Sequence, residues 1–154
     1  MTDLAANELG TRELGTRELG PGIDAELERC RLGVRRLHPA EAWHAAQQGA
    51  LLIDTRTETQ RAGQGELPGS IVIDRTILEW RLDPSSEWRI PEAVDADILA
   101  IVVCRQGYSS SLAAASLRRI GLHRATDMVG GFEAWCEAGL PLADPAVTPP
   151  DIRC

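Results

Sequence analysis

The 154-residue chain contains no lysine; all 16 of its basic residues are arginine. This excludes Schiff-base catalysis and any phosphate loop built around a lysine. Phenylalanine and tyrosine occur once each, so an aromatic platform for stacking bases is not expected. Basic residues are also outnumbered, 16 against 23 acidic, for a net charge of −7. A nucleic-acid face needs the opposite balance, and so does docking on anionic lipid, so neither partner is expected. No apolar run reaches the roughly 20 residues that span a bilayer. The first residues lack a basic stretch followed by an apolar one, so no secretory signal is expected. The four cysteines, Cys30, Cys104, Cys136 and Cys154, are too widely spaced for a zinc pattern and form no Cys-x-x-Cys. No metal and no organic cofactor is expected. A chain of this length builds a core without disulfide staples, so the thiols are expected reduced, in the cytoplasm.

The material present is enough for one domain. Residues 1–22 carry the repeat ELGTR-ELGTR-ELG. A period of five fits neither helix nor strand, and each glycine costs a helix roughly 1 kcal/mol, so this segment is expected to be disordered. Residues 143–154 hold Pro145, Pro149 and Pro150 and are expected to form a loose tail. The folded domain is therefore expected over 23–142.

Within it, helix and strand signals alternate. Asp24 is expected to cap a helix over 25–32, and Pro39 opens another that Gly49 stops. Short apolar strands are expected at 35–37, 51–54 (LLID), 71–74 (IVID), 98–103 (ILAIVV) and 126–129. Helical segments follow at 58–62, 76–81, 109–120 and 132–138. Short apolar strands separated by helices imply an α/β fold with a parallel sheet covered on both faces. Ligands of such sheets bind beyond the carboxyl ends of the strands.

The most apolar strand ends in Cys104-Arg105-Gln106-Gly107-Tyr108-Ser109-Ser110-Ser111, which leads straight into a helix. That geometry aims backbone N–H groups and the positive end of the helix at one point, and both favour thiolate over thiol. Gly107 lets the loop curl, and Arg105 adds charge. The serines are expected to cap the helix or donate hydroxyls inward. Asp54 and Arg75 also stand at carboxyl ends of strands; Asp54 is expected to pair with Arg56. Glu66 is expected in a solvated turn, the Arg35-Arg36 and Arg118-Arg119 pairs on solvated faces, and the four tryptophans in packing. Cys30 and Cys136 are expected to be buried packing residues.

The loop CRQGYSS resembles the active-site loop of rhodanese-like proteins. LLIDTRT resembles that family's strand with Asp-x-Arg, GELPGS its Gly-His-Ile-Pro-Gly-Ala turn with Glu66 in the histidine's place, and VGGFEAWCEAGLP its GG-x-x-x-W…G-L-P signature. The resemblance spans roughly residues 35–142. It implies a five-stranded parallel sheet in a three-layer α/β/α fold, and sulfurtransferase chemistry. Cys104 would take sulfane sulfur from a small donor such as thiosulfate, hold it as a persulfide, and pass it to a thiol, cyanide or a protein acceptor. Arg105, Gln106, Gly107, Tyr108, Ser109 and Ser110 would form the loop around it, supported by Asp54, Arg56 and Arg75. Related phosphatases and arsenate reductases place an arginine where Ser110 stands, so a phosphate would lack its bidentate clamp. With a single loop cation, a low-turnover module that binds, carries or senses sulfane sulfur is the alternative to an enzyme.

Overall fold

The computed structural model describes residues 19–154, so the expectation for the pentad repeat lies almost wholly outside the described residues. Helix α1, Ile23–Arg31, has acidic residues in its first turn and basic ones in its last, as the helix dipole favours. Its N-cap is Gly22, two residues before the expected Asp24 cap, and no side chain caps it. Helix α2, Pro39–Gln47, places proline in its first turn, and the Glu41 carboxylate accepts the His38 N–H at 3.1 Å. Strand β1 is Leu51–Asp54. Helix α3, Glu58–Gln64, starts in a reciprocal box: the Gln60 amide donates to the Thr57 hydroxyl, and the Thr57 amide to Gln60 Oε1, both at 3.1 Å.

Strand β2 is only Ile71–Val72. It stops short of the expected 71–74 because the Asp74 carboxylate takes the amide and hydroxyl of Thr76 and opens a turn of 3₁₀ helix, Arg75–Ile77. Helix α4, Leu78–Leu82, follows, then β3, Ala100–Val103, α5, Ser109–Arg119, β4, Thr126–Asp127, and α6, Gly131–Glu137.

The sheet has five strands, all pairs parallel, in the order β4-β3-β1-β2-β5. Side chains alternate across it. Ile53, Ala100 and Val102 face α4 and α5 in one core, with Leu78, Leu82, Ala113 and Leu117. Leu52, Ile101 and Val103 face α2 and α6 in the other, with Ala42, Phe132 and Trp135. Trp43 meets Trp135 edge-on, ring centroids 5.5 Å apart. Both faces are thus covered, the three-layer arrangement that apolar parallel strands demand. Trp80 and Trp88 remain largely exposed, so only two of the four tryptophans pack in the interior.

Two expectations change. The stretch at 35–37 makes a single bridge, Leu37 to Met128, at the β4 edge rather than a strand. The fifth strand, β5, is Asp151–Ile152, from the segment expected as a loose tail; it pairs with β2. Arg153 fastens it, with guanidinium bonds of 3.0 Å to each oxygen of Glu92 and of 2.6 and 2.8 Å to Asp151. The guanidinium holds both carboxyls below the usual carboxylate range. Arg153→Ala is expected to cost about 1 kcal/mol, since the pairs are partly solvated; a lowered urea midpoint checks this.

Candidate active site

The connections set the place. The chain makes β1 and β2 side by side, then returns to the other side of β1 for β3. Between β1 and β3 the winding reverses, and the crevice of such a sheet opens outside the carboxyl ends there. β1 ends in Asp54 and β3 leads into Cys104. The Thr55 amide and hydroxyl both donate to the Val103 carbonyl, at 2.9 and 3.0 Å, which ties the two strand ends together beneath the loop.

Cys104 is 6% exposed. Its Sγ accepts the Gly107 N–H at 3.1 Å and the Ser110 N–H at 3.4 Å. Helix α5 has no side-chain cap at Tyr108. Of the two roles expected for the serines, Ser110 and Ser111 take the second and donate their hydroxyls inward, to Asp127, while the sulfur takes up one of the orphan first-turn amides. Burial pushes the Cys104 thiol up. Hydrogen bonds from Ser110, Ser109 and the Gly107 amide outweigh burial, so the thiol lies below the ordinary thiol range. The Ser110 hydroxyl donates to Asp127 Oδ2 at 2.7 Å, so Ser110 reaches the sulfur through its amide. Cys30 is the contrast: burial, then the Glu26 carboxylate, push its thiol up. Cys136, expected to be buried, is exposed on α6.

The loop keeps its shape by backbone packing. Gly107 has φ +85°, and a Cβ there would stand 2.6 Å from the Gly130 nitrogen. The first amides of α6 run into the loop: Phe132 N–H donates to the Cys104 carbonyl at 2.8 Å and Glu133 N–H to that of Arg105 at 3.1 Å.

A polar network that single residues did not announce lies behind it. Asp127, on β4 and nearly fully buried, accepts Arg36 Nε at 2.8 Å and the hydroxyls of Ser110 and Ser111 at 2.7 and 2.8 Å. Arg36 and Arg31 each donate to the Gly107 carbonyl, at 2.9 and 2.8 Å. Arg36 is therefore part of the loop's support, not of a solvated face, whereas Arg35 is exposed and pairs with Glu41. Arg118 likewise turns inward, to the carbonyls of Ala125 and Cys30.

The expected supporting residues lie around the site without converging on the sulfur. Asp54 and Arg56, both side chains fully buried, pair at 2.8 Å, and the guanidinium lies 3.6 Å from the Phe132 ring centre. Phe132 in turn donates its N–H to the Cys104 carbonyl. Arg75 pairs with Glu79 at 2.9 Å. Glu66, expected to be solvated, is largely buried and pairs with Arg61 at 3.3 Å. On the loop, Arg105 Nε and Gln106 Nε2 both donate to the Glu133 carboxylate, at 3.1 and 3.2 Å, while Tyr108 is exposed beside Arg31. Among the described residues no cluster of His, Cys, Asp and Glu could hold a metal, and no helix is long and apolar enough to cross a membrane.

A cysteine under converging amides at the switch point of a parallel sheet invites comparison with known proteins. The family description "Rhodanese-like domain" matches residues 38–138. The chain belongs to the rhodanese-like family. Thiosulfate sulfurtransferase GlpE of Haemophilus influenzae (strain PittEE) is 32% identical over 111 residues, which cover 72% of this chain and 96% of that protein. A sulfurtransferase of Allochromatium vinosum is 32% identical over 66% of the chain and 85% of its own length. Among solved structures, a Rhodopseudomonas palustris protein of unknown function, a possible tyrosine phosphatase, superposes with TM-score 0.71 at 30% identity over 80% of this chain and 95% of that one. The human single-domain sulfurtransferase TSTD1 shares the fold, with TM-score 0.56 at 22% identity over 68% of this chain and 97% of that one. For this rhodanese-like chain, the resemblance in four separate motifs and the architecture of the sheet agree.

Proposed function

We propose that this protein is a sulfurtransferase that carries sulfane sulfur on Cys104. The observation that supports the reading most is the convergence of the Gly107 and Ser110 amides on Cys104 Sγ. The relatives named sulfurtransferases give it independent weight. In the first half-reaction the Cys104 thiolate attacks the outer sulfur of a donor such as thiosulfate. A new Sγ–S bond forms, the donor's S–S bond breaks, and its electron pair leaves on sulfite. In the second, a thiol, cyanide or a protein acceptor takes the outer sulfur and the Sγ thiolate is restored. This is a ping-pong scheme through a covalent intermediate. The amides provide a fixed field for the anionic sulfur in both states. All four cysteines are free thiols, in keeping with a cytoplasmic enzyme.

The phosphatase chemistry suggested for the Rhodopseudomonas neighbour does not suit this loop. Ser110 stands where a phosphate-clamping arginine would be needed, and its hydroxyl is engaged by Asp127. The paired loop cation keeps a second reading alive, a carrier that loads without rapid turnover.

The test is intact mass. Protein treated with a sulfane-sulfur donor is expected to gain about 32 Da, one sulfur atom. Peptide mapping is expected to place it on Cys104, and cyanide to remove it. No adduct, with Cys104 open to alkylation, overturns the proposal. Steady-state rates with several donors then separate enzyme from carrier, since a carrier loads once and stops.

A further inference from the structure

The acid–base pairing around the crevice carries information about the donor. Of the five arginines on or beside the loop or at neighbouring strand ends, four are opposed by a carboxylate, Arg36 by Asp127 among them, and the fifth, Arg31, turns its guanidinium onto the Gly107 carbonyl and the Ser111 hydroxyl. Arg56 is sealed against Asp54. Arg75 donates from one nitrogen to both oxygens of Glu79, at 2.9 and 3.0 Å. Arg105, the only charged residue between Cys104 and Ser111, is held by Glu133 at 3.1 Å. Glu133 also takes the Gln106 amide at 3.2 Å. Its own backbone N–H donates to the Arg105 carbonyl at 3.1 Å, which fixes the main chain of Glu133 beside the loop. The chain as a whole adds a net charge of −7.

A dianionic donor entering this crevice meets one carboxylate at the loop and, apart from Arg31, whose guanidinium is turned onto the Gly107 carbonyl and the Ser111 hydroxyl, only arginines already paired with carboxylates. Its favourable partners are the backbone amides and the end of α5, which together offer about half a positive charge. That is enough for one sulfur anion and poor for a sulfonate-bearing dianion.

We propose that Glu133 sets the donor charge this site accepts. By occupying Arg105 and Gln106 it disfavours thiosulfate and leaves the crevice matched to the persulfide of a thiol, R–S–SH, whose sulfurs carry at most one charge. The inference rests on the sulfur-transfer reading above. The step with such a donor balances without an oxidant. The Cys104 thiolate attacks the outer sulfur of R–S–SH, Sγ–S forms, the donor's S–S bond breaks, and RS⁻ leaves and takes a proton from water. The outer sulfur keeps its own proton or releases it, giving the Cys104 persulfide.

The test compares the rates at which thiosulfate and the persulfide of 2-mercaptoethanol, which carries no other charge, load Cys104, followed by quenched intact-mass measurement. Intrinsic donor reactivity differs between the two, so the readout is how the thiosulfate-to-persulfide ratio changes between wild type and variant. Glu133→Gln is expected to raise that ratio about 3-fold, the scale of one exposed ion pair. Glu133→Lys is expected to raise it about 10-fold or more, because a cation then replaces the anion. A merely structural role would slow both donors together and leave the ratio where it was. An unchanged or lower ratio in both variants, with wild type loading normally, overturns the inference alone. Failure of both donors to load wild type overturns the sulfur-transfer reading first.

Discussion

Asp127→Ala is expected to cost about 3–5 kcal/mol of stability, the range for removing one partner of a buried ion pair. Asp127 is 2% exposed and serves the Arg36 guanidinium and two serine hydroxyls at once. Its removal leaves Arg36, with little solvent access, facing no counter-charge. Ser110 and Ser111 lose their common acceptor at the first turn of α5. Urea denaturation gives the measurement. The same experiment on Asp127→Ala combined with Arg36→Met separates the charge from the space. With the buried cation gone, the double variant is expected to recover part of the loss, so the two single costs do not add. A fall of less than about 1 kcal/mol in Asp127→Ala would place the pair among ordinary surface bridges and remove the network as the loop's support.

That network shows where sequence reading reached and where it stopped. The runs at 51–54 and 98–103 are apolar enough to declare buried parallel strands, and the cysteine directly after the second one stands out because strand, glycine loop and helix follow in register. Local order of this kind is written along the chain. The partnership of Arg36 with Asp127 is not: it joins residues 91 positions apart, and exists only because the bridge from Leu37 brings the end of the first connection against β4. An Arg-Arg pair before a proline looks like a solvated face until that neighbour is known. The last strand was illegible for another reason. Asp151 and Ile152 are both exposed at the sheet edge, after two prolines, and two residues display no period. What holds them is Arg153, a side chain whose pairing with Glu92 no local pattern foretells. The shortening of β2 was within reach, since Asp followed two residues later by Thr is turn chemistry.

Gly131→Ala tests whether the loop's shape makes the thiolate. Gly131 sits at φ +64°, and a Cβ there would lie 2.5 Å from the Cys104 carbonyl oxygen, 2.6 Å from the Arg105 carbonyl carbon and 2.6 Å from the Gln106 nitrogen. The left-handed conformation alone costs an alanine about 1–2 kcal/mol. The contacts are with backbone, which has no rotamer to escape into, so the loop must shift away from α6. Phe132 and Glu133 then lose their hold on the loop carbonyls, and Gly107 and Ser110 no longer aim at the sulfur. A displacement of about 1 Å is expected to slow sulfur loading roughly 10²-fold. The pH dependence is diagnostic. In wild type the Cys104 thiol titrates below the ordinary range, so its alkylation midpoint is expected below that of a free thiol; in Gly131→Ala it is expected to move up toward it. The same shift has a stability sign. A thiol depressed by folding contributes stability that is complete above the unfolded thiol's pKa and lost as pH falls through the folded one. The stability gap between wild type and Gly131→Ala is therefore expected to widen from neutral to alkaline pH. An alkylation midpoint that stays in place while loading collapses would mean that the loop positions the donor and does not hold the sulfur anionic.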